Sequence, residues 1–176
     1  RTRQSTLKIL GLDVATKTGF AVLDDGKLVD YGLIRSNLIR LDGFDESFDY
    51  LAQAKDMARS IYNLIIQVSP DEIYIEQTNG GRNRTSQKRL EFIHAILLER
   101  ILDNHGGHNK RSLARNLHYV DTSKWRSALG IKLSKDQRKH NKAVKEKEAR
   151  GKITSKHLAV RWANETYGLK LILKDN

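Results

Sequence analysis

Short apolar runs broken by turn residues open the chain, and longer stretches spaced by three and four follow them. Residues 7–12 (LKILGL) and 19–24 (GFAVLD) have the length and composition of strands. Asp24-Asp25-Gly26-Lys27 between them and residues 28–35 is a hairpin signal, because Asp-Gly supplies the turn backbone at low cost. Three antiparallel strands are therefore predicted at the start. From Glu46 to Val68 the residues Phe48, Leu51, Ala54, Ala58, Ile61, Ile65 and Val68 mark the buried face of a long helix. Ser69-Pro70 stops it, since proline disfavours helix at the residue before it.

The alternation in EIYIEQ (72–77) predicts a fourth strand, and Leu90, Ile93, Leu97 and Ile101 define a second helix over about 86–104. LHYVDT (117–122) reads as a fifth strand, with Asp121 or Thr122 placed to cap the helix after it. A last helix runs from Thr154 to Tyr167 and stops at Gly168. The order of elements argues for an α/β domain with a mixed sheet, a single domain over 1–176.

Composition narrows the partners. Of the 176 residues, 39% are hydrophobic, enough for a core. Lys and Arg number 32 against 21 Asp and Glu, and the resulting +11 points to a polyanion, most simply nucleic acid. There is no cysteine, which excludes disulfides, zinc thiolates and thiol nucleophiles and fits a reducing compartment such as the cytoplasm. No apolar run approaches the ~18 residues of a membrane span. The start, RTRQSTLKIL, is too polar for a signal peptide. It lacks a Met, and the end, LILKDN, is abrupt; both ends are expected to be trimmed.

Two carboxylates stand out. Asp13 follows Leu-Gly-Leu and Glu76 follows Ile-Tyr-Ile, each at the end of an apolar strand. An ordinary helical crossover makes those strands neighbours. Bare, the pair would repel; a divalent cation removes that cost, and Mg²⁺ (with Mn²⁺ as a substitute) takes oxygen ligands together with substrate phosphate. Two such ions could stabilise both oxygens of a phosphodiester displacement. Against this, Asp13 alone could cap a turn through Thr16 or Thr18, and Glu76 alone could pair with an arginine.

GLDVATKTGFAVLD followed by IYIEQ resembles the RuvC-type Holliday junction resolvases, in particular their bacteriophage branch, within the RNase H-like superfamily. The resemblance covers roughly residues 7–170 in element order and is specific at those two motifs. It implies an RNase H-like fold with a central mixed five-stranded sheet flanked by helices, a homodimer, and Mg²⁺-dependent cutting of four-way DNA junctions. Asp13 and Glu76 would be metal ligands. The family's lysine at the start of a late helix matches Lys156, which shares a helix face with Val160, Ala163 and Tyr167 and so is expected to lean inward. A phage-encoded member would act in the cytoplasm of a bacterial host.

Three departures matter. Val14-Ala15 stands where the bacterial enzymes have Pro-Gly. The segment Thr78 to Arg84 lacks the aromatic that wedges into the junction, so junction opening must be done differently or by other residues. The family's closing Asp-x-x-Asp is incomplete: Asp175 is either its first member or precedes it, and the acidic helix is expected beyond Asn176.

Two basic stretches suit DNA. GGRNRTSQKR (80–89) places Arg82, Arg84, Lys88 and Arg89 after the Glu76 strand, where glycines and a helix N-terminus admit a phosphate closely. Residues 132–152 hold nine Lys and Arg against three Asp and Glu, a net +6. Such a run is commonly a solvated face; here Lys135, Arg138, Lys139 and Lys142 are read as a clamp on a duplex arm, joined by Lys124 and Arg126. About 6–10 phosphate contacts per protomer would make binding steeply salt-dependent. Trp125 and Trp162 read as core, with stacking on a base the alternative for Trp125, and His94 as a packed helix residue. The other five histidines show no metal-ligand spacing.

The leading reading is a structure-selective DNA endonuclease. An RNase H-like nuclease of RNA–DNA hybrids or other branched nucleic acid is a second, and a basic, non-catalytic nucleic-acid-binding domain a third. A sugar-kinase or actin-type ATPase needs two such domains, more than 176 residues can hold.

Overall fold

A computed structural model of the chain describes residues 6–37, 39–77, 84–103, 110–146 and 151–172. They fall into two compact units, Arg1–Asp121 and Thr122–Asn176.

The first unit is built on a five-stranded sheet in the order β3-β2-β1-β4-β5. Its strands are β1 (Lys8–Asp13), β2 (Lys17–Asp24), β3 (Lys27–Arg35), β4 (Glu72–Glu76) and β5 (Leu117–Val120). The β1–β2 and β2–β3 pairs are antiparallel, whereas β1–β4 and β4–β5 are parallel. Asp25 and Gly26 both take positive φ (49° and 75°), so the predicted Asp-Gly hairpin turns with the twist of its strands.

Helix α1 (Glu46–Val68) connects β3 to β4, and α2 (Arg84–Asp103) with the short α3 (Lys110–Arg115) connects β4 to β5. Asp45 caps α1 by accepting from the Ser47 N–H. Ser69 closes it in the left-handed conformation, donating its N–H to the Ile65 carbonyl. One sheet face carries Leu10, Leu12, Val22, Ile73 and Ile75 into a core with Ala54, Met57, Ala58, Ile61 and Ile65 of α1 and Ile93 and Leu97 of α2. On β3, Gly32 leaves room for the Phe20 ring: a Cβ there would lie 2.8 Å from it.

The predicted α1 stripe is corrected at its start. Phe48 is 49% exposed, while Tyr50 and Met57 take buried places. Phe48 sits in the first helical turn, beyond the reach of the sheet-facing stripe.

The second unit contains α4 (Thr122–Ala128), α5 (Lys135–Lys145) and α6 (Ser155–Tyr167). Helix α5 lies inside the basic run and opens with a capping box between Ser134 and Gln137. Helix α6 has the same device at Thr154 and His157 and ends at Gly168 with φ 66°. Trp125 and Trp162 are half-buried and not in the core; Trp162 packs edge-on against Tyr167, and Arg126 lies 5.2 Å from the centre of the Trp125 ring. No helix among the described residues is long and apolar enough to cross a membrane.

Candidate functional site

The acidic edge follows from strand register. Leu12 pairs with Ile75 across the parallel β1–β4 ladder, so the next residues along, Asp13 and Glu76, end adjacent strands at one edge. Alternation settles their face. Leu10 and Leu12, like Ile73 and Ile75, are buried against the helices, so Asp13 and Glu76 belong to the opposite sheet face. Asp13 is exposed and Glu76 half-buried.

The turn that carries Asp13 is held by a residue whose bonds the sequence did not disclose. Thr18 is fully buried; its Oγ1 accepts from the Ala15 N–H (3.1 Å), donates to the Ala15 carbonyl (2.8 Å) and lies 3.3 Å from Met57 Sδ. Thr18 thus closes the β1–β2 connection on itself and anchors it to α1, leaving Asp13 outside the turn's hydrogen bonds. The reading of Asp13 as a cap through Thr18 is replaced by this Thr18–Ala15 closure. On the other strand, the Gln77 N–H donates to the Val120 carbonyl (2.9 Å), fixing the backbone just after Glu76 to β5.

The donor set is oxygen, which suits a hard divalent cation. Among the described residues no group of three or more ligating side chains comes together. Asp175, the expected third carboxylate, lies outside the described residues, as does Arg82.

The cations of the first unit divide. Arg84 is exposed at the start of α2. The Lys88 ammonium donates to Ser47 Oγ (3.1 Å) and lies 5.7 Å from the centre of the Phe92 ring. Arg89 stacks on Tyr50, its guanidinium carbon 4.0 Å from the ring centre, and comes within 3.9 Å of Glu46. Glu46 in turn accepts from the Tyr50 hydroxyl. Arg89 therefore ties the start of α2 to the start of α1, a structural duty that the basic pattern of 80–89 could not reveal.

In the second unit Lys124 is exposed and Arg126 half-buried. Lys135, Arg138, Lys139 and Lys142 are all exposed and, at spacings of three, four and seven from Lys135, form one cationic stripe on α5. Lys156, in the first turn of α6, is exposed; the expectation that it leans inward is overturned, because the face it shares with Val160, Ala163 and Tyr167 is only half-buried and α6 buries no residue.

Two polar pairs flank β5. His118 Nε2 bonds Glu72 Oε2 (2.5 Å) while its ring stacks on Tyr74, on the same face as Glu76 but toward the opposite end of β4. On the core face, His94 Nδ1 and the Tyr119 hydroxyl are 3.0 Å apart. Burial holds the His94 imidazole below its ordinary pKa and pushes the Tyr119 phenol up. His94 is packed, as its helical spacing predicted.

No protein-family model matches the sequence, and no curated protein matches it. The fold has solved counterparts. RuvC of Thermus thermophilus in complex with a Holliday junction substrate overlays with a TM-score of 0.52 at 10% identity, over 92% of this chain and 94% of that one. A structure of Thermus thermophilus RuvC gives 0.51 at 11% identity, over 92% and 95%. The yeast mitochondrial Holliday junction resolvase Ydc2 overlaps at 0.49 with 12% identity, over 90% and 71%. At these identities the likeness is one of fold: the chain has the RuvC-like, RNase H-like architecture that its two strand motifs predicted.

Proposed function

We propose that the chain is a structure-selective endonuclease that cuts branched DNA, four-way junctions in particular. The observation that carries this is the β1–β4 register, which ends two neighbouring parallel strands in Asp13 and Glu76 on one face of a RuvC-like sheet. In this reading Asp13 and Glu76, with Asp175 as a third carboxylate, hold Mg²⁺ or Mn²⁺. The bound ions would supply Lewis-acid charge neutralisation at the scissile phosphate. Asp13 and Glu76 orient that charge from the ends of rigid strands, so little reorganisation is needed when the phosphate arrives. Lys156 is a cation for the same phosphate, and Arg82, Arg84 and Lys88 take the backbone near the cut.

The remaining assignments follow from this one. The products are 5′-phosphate and 3′-hydroxyl ends, and the chain is one nuclease domain whose α5 stripe, with Lys124 and Arg126, clamps a duplex arm. A two-fold homodimer would set two sites on opposite strands of a two-fold substrate. Val14-Ala15 in place of Pro-Gly points to the bacteriophage branch, acting in the cytoplasm of a bacterial host.

The test is cleavage of a synthetic four-way junction by the purified chain with Mg²⁺, alongside its Asp13→Asn variant. Cutting by the parent and none by the variant, at similar junction affinity, is expected. Equal cutting by both, or none by the parent, would sink the assignment.

A further inference from the structure

The segment between β3 and α1 holds apolar surface out to water. Phe44 is 63% exposed, Phe48 49% and Leu41 38%. Single exposed apolar side chains are ordinary, but three within so short a segment make a patch. Its presentation is fixed. Gly43 turns the chain at φ 82°, and the Leu41 N–H donates to Asp49 Oδ1 (2.7 Å). The Phe44 N–H donates to the Leu41 carbonyl (3.1 Å). The two rings pack edge to face, with centroids 5.4 Å apart and planes at 63°.

Topology decides what the patch adjoins. Strand β3 is antiparallel to β2, and β2 to β1, so β3 ends at Arg35 on the sheet edge where Asp13 and Glu76 stand. Helices α1 and α2 both begin from that edge, and Lys88–Ser47 and Arg89–Tyr50 join their first turns. The aromatic pair, the cations of the α2 start and the acidic strand ends thus share one edge of the first unit.

Charge decides what the patch can take. Residues 41–50 include Asp42, Asp45, Glu46 and Asp49. Asp45 caps α1, Glu46 faces Tyr50 and Arg89, and Asp49 holds Leu41, yet together they disfavour a phosphate lying on the rings. A nucleobase is flat and uncharged, and stacks on aromatic rings whatever its identity. We propose that Phe44 and Phe48 form a stacking site for an unpaired nucleobase of branched DNA, with Arg84 and Lys88 holding the flanking phosphates. This rests on the branched-DNA reading above.

The experiment uses the Asp13→Asn chain, so that strands stay whole, and two probes. One is a four-way junction with 2-aminopurine at the branch point; the other is a fully paired duplex of matching sequence. Junction binding should quench the 2-aminopurine. Adding Phe44→Ala and Phe48→Ala should abolish the quench and weaken junction binding about tenfold or more, with duplex affinity unchanged. Phe44→Trp should keep the quench, and thermal midpoints should stay close because both rings are exposed. An unchanged quench and affinity in the double variant would overturn the proposal, as would an equal loss on the duplex. Loss of self-association with the quench intact would also overturn it and assign the patch to a protein interface. If the chain without the Phe substitutions shows no preference for the junction, the branched-DNA reading itself fails and takes this inference with it.

Discussion

In the first unit Leu10, Ile61, Ile73, Ile75 and Leu97 are wholly buried, and the strands that carry Asp13 and Glu76 lie directly over that core. In the second unit neither α5 nor α6 buries a residue. Its segments are pinned by side-chain amides. Asn141 of α5 bonds both the N–H (2.8 Å) and the carbonyl (2.7 Å) of Ile153, and Asn164 of α6 does the same for Leu171 (2.9 and 3.0 Å). The difference matches the two tasks proposed. Positioning a carboxylate at a reacting phosphate requires close-packed backing, whereas gripping a backbone of repeating charges needs only a cationic surface.

The sharpest way to break that comparison is to exchange the expected phenotypes. Glu76→Gln should cut junction DNA on the order of 10²–10³-fold more slowly than the parent, with affinity little changed, because a carboxylate proposed to hold the cation at the phosphate is lost. Neutralising Lys135, Arg138, Lys139 and Lys142 to Gln should do the reverse. Junction affinity should fall about tenfold or more and the slope of log affinity against log salt should drop by about 3–4, with single-turnover cutting at saturation kept. Quench-flow cleavage and fluorescence anisotropy separate the two. A slowed cut in the α5 variant at saturation would show that the α5 stripe acts in the chemistry as well as in binding.

The same contrast explains what was legible in the sequence. Asp13, Glu76, the hairpin at Asp25-Gly26 and the β1–β4 neighbourhood were readable because burial writes a period into the chain and the carboxylates interrupt it. Helix α5 was not, since a helix with no buried face leaves no apolar period; its signals were the Ser134–Gln137 box and a run of helix-forming polar residues. Phe48 was misread because its spacing fits the α1 stripe, and spacing alone cannot tell a first-turn residue from a core one. Lys156 was misjudged for the same reason. The stacking of Arg89 on Tyr50 was not legible, since only tertiary structure brings that ring beneath it.

A smaller effect is expected where the core supports the acidic edge. Thr18→Val keeps the shape of the side chain but removes the hydroxyl that closes the turn on Ala15. A loss of about 1–2 kcal/mol is expected in urea denaturation, since the Ala15 groups lose their partner. On the proposed reading Mg²⁺ should raise the parent's thermal midpoint, and the variant should lose part of that rise. An unchanged Mg²⁺ response would limit Thr18 to packing.

The smallest effect belongs to the buried face behind β5. With His94 depressed below its ordinary pKa by burial, the folded state favours neutral imidazole. Above the unfolded value of about 6.5 both states are neutral and His94 adds no pH dependence. As pH falls below that value the unfolded chain binds the proton first, so stability declines until the depressed folded pKa is reached and then levels off. His94 Nε2 finds no partner among the described residues, so a second N–H there has nothing to donate to. Stability in urea denaturation should therefore fall between pH 7.5 and 5.5, and His94→Gln should flatten that part of the slope. Tyr119→Phe, which removes the hydroxyl 3.0 Å from Nδ1, should cost about 1 kcal/mol at pH 7.5 while leaving the acid-side slope in place. Neither change should alter junction cutting at pH 7.5, because both residues belong to the core face of the sheet, opposite Asp13 and Glu76.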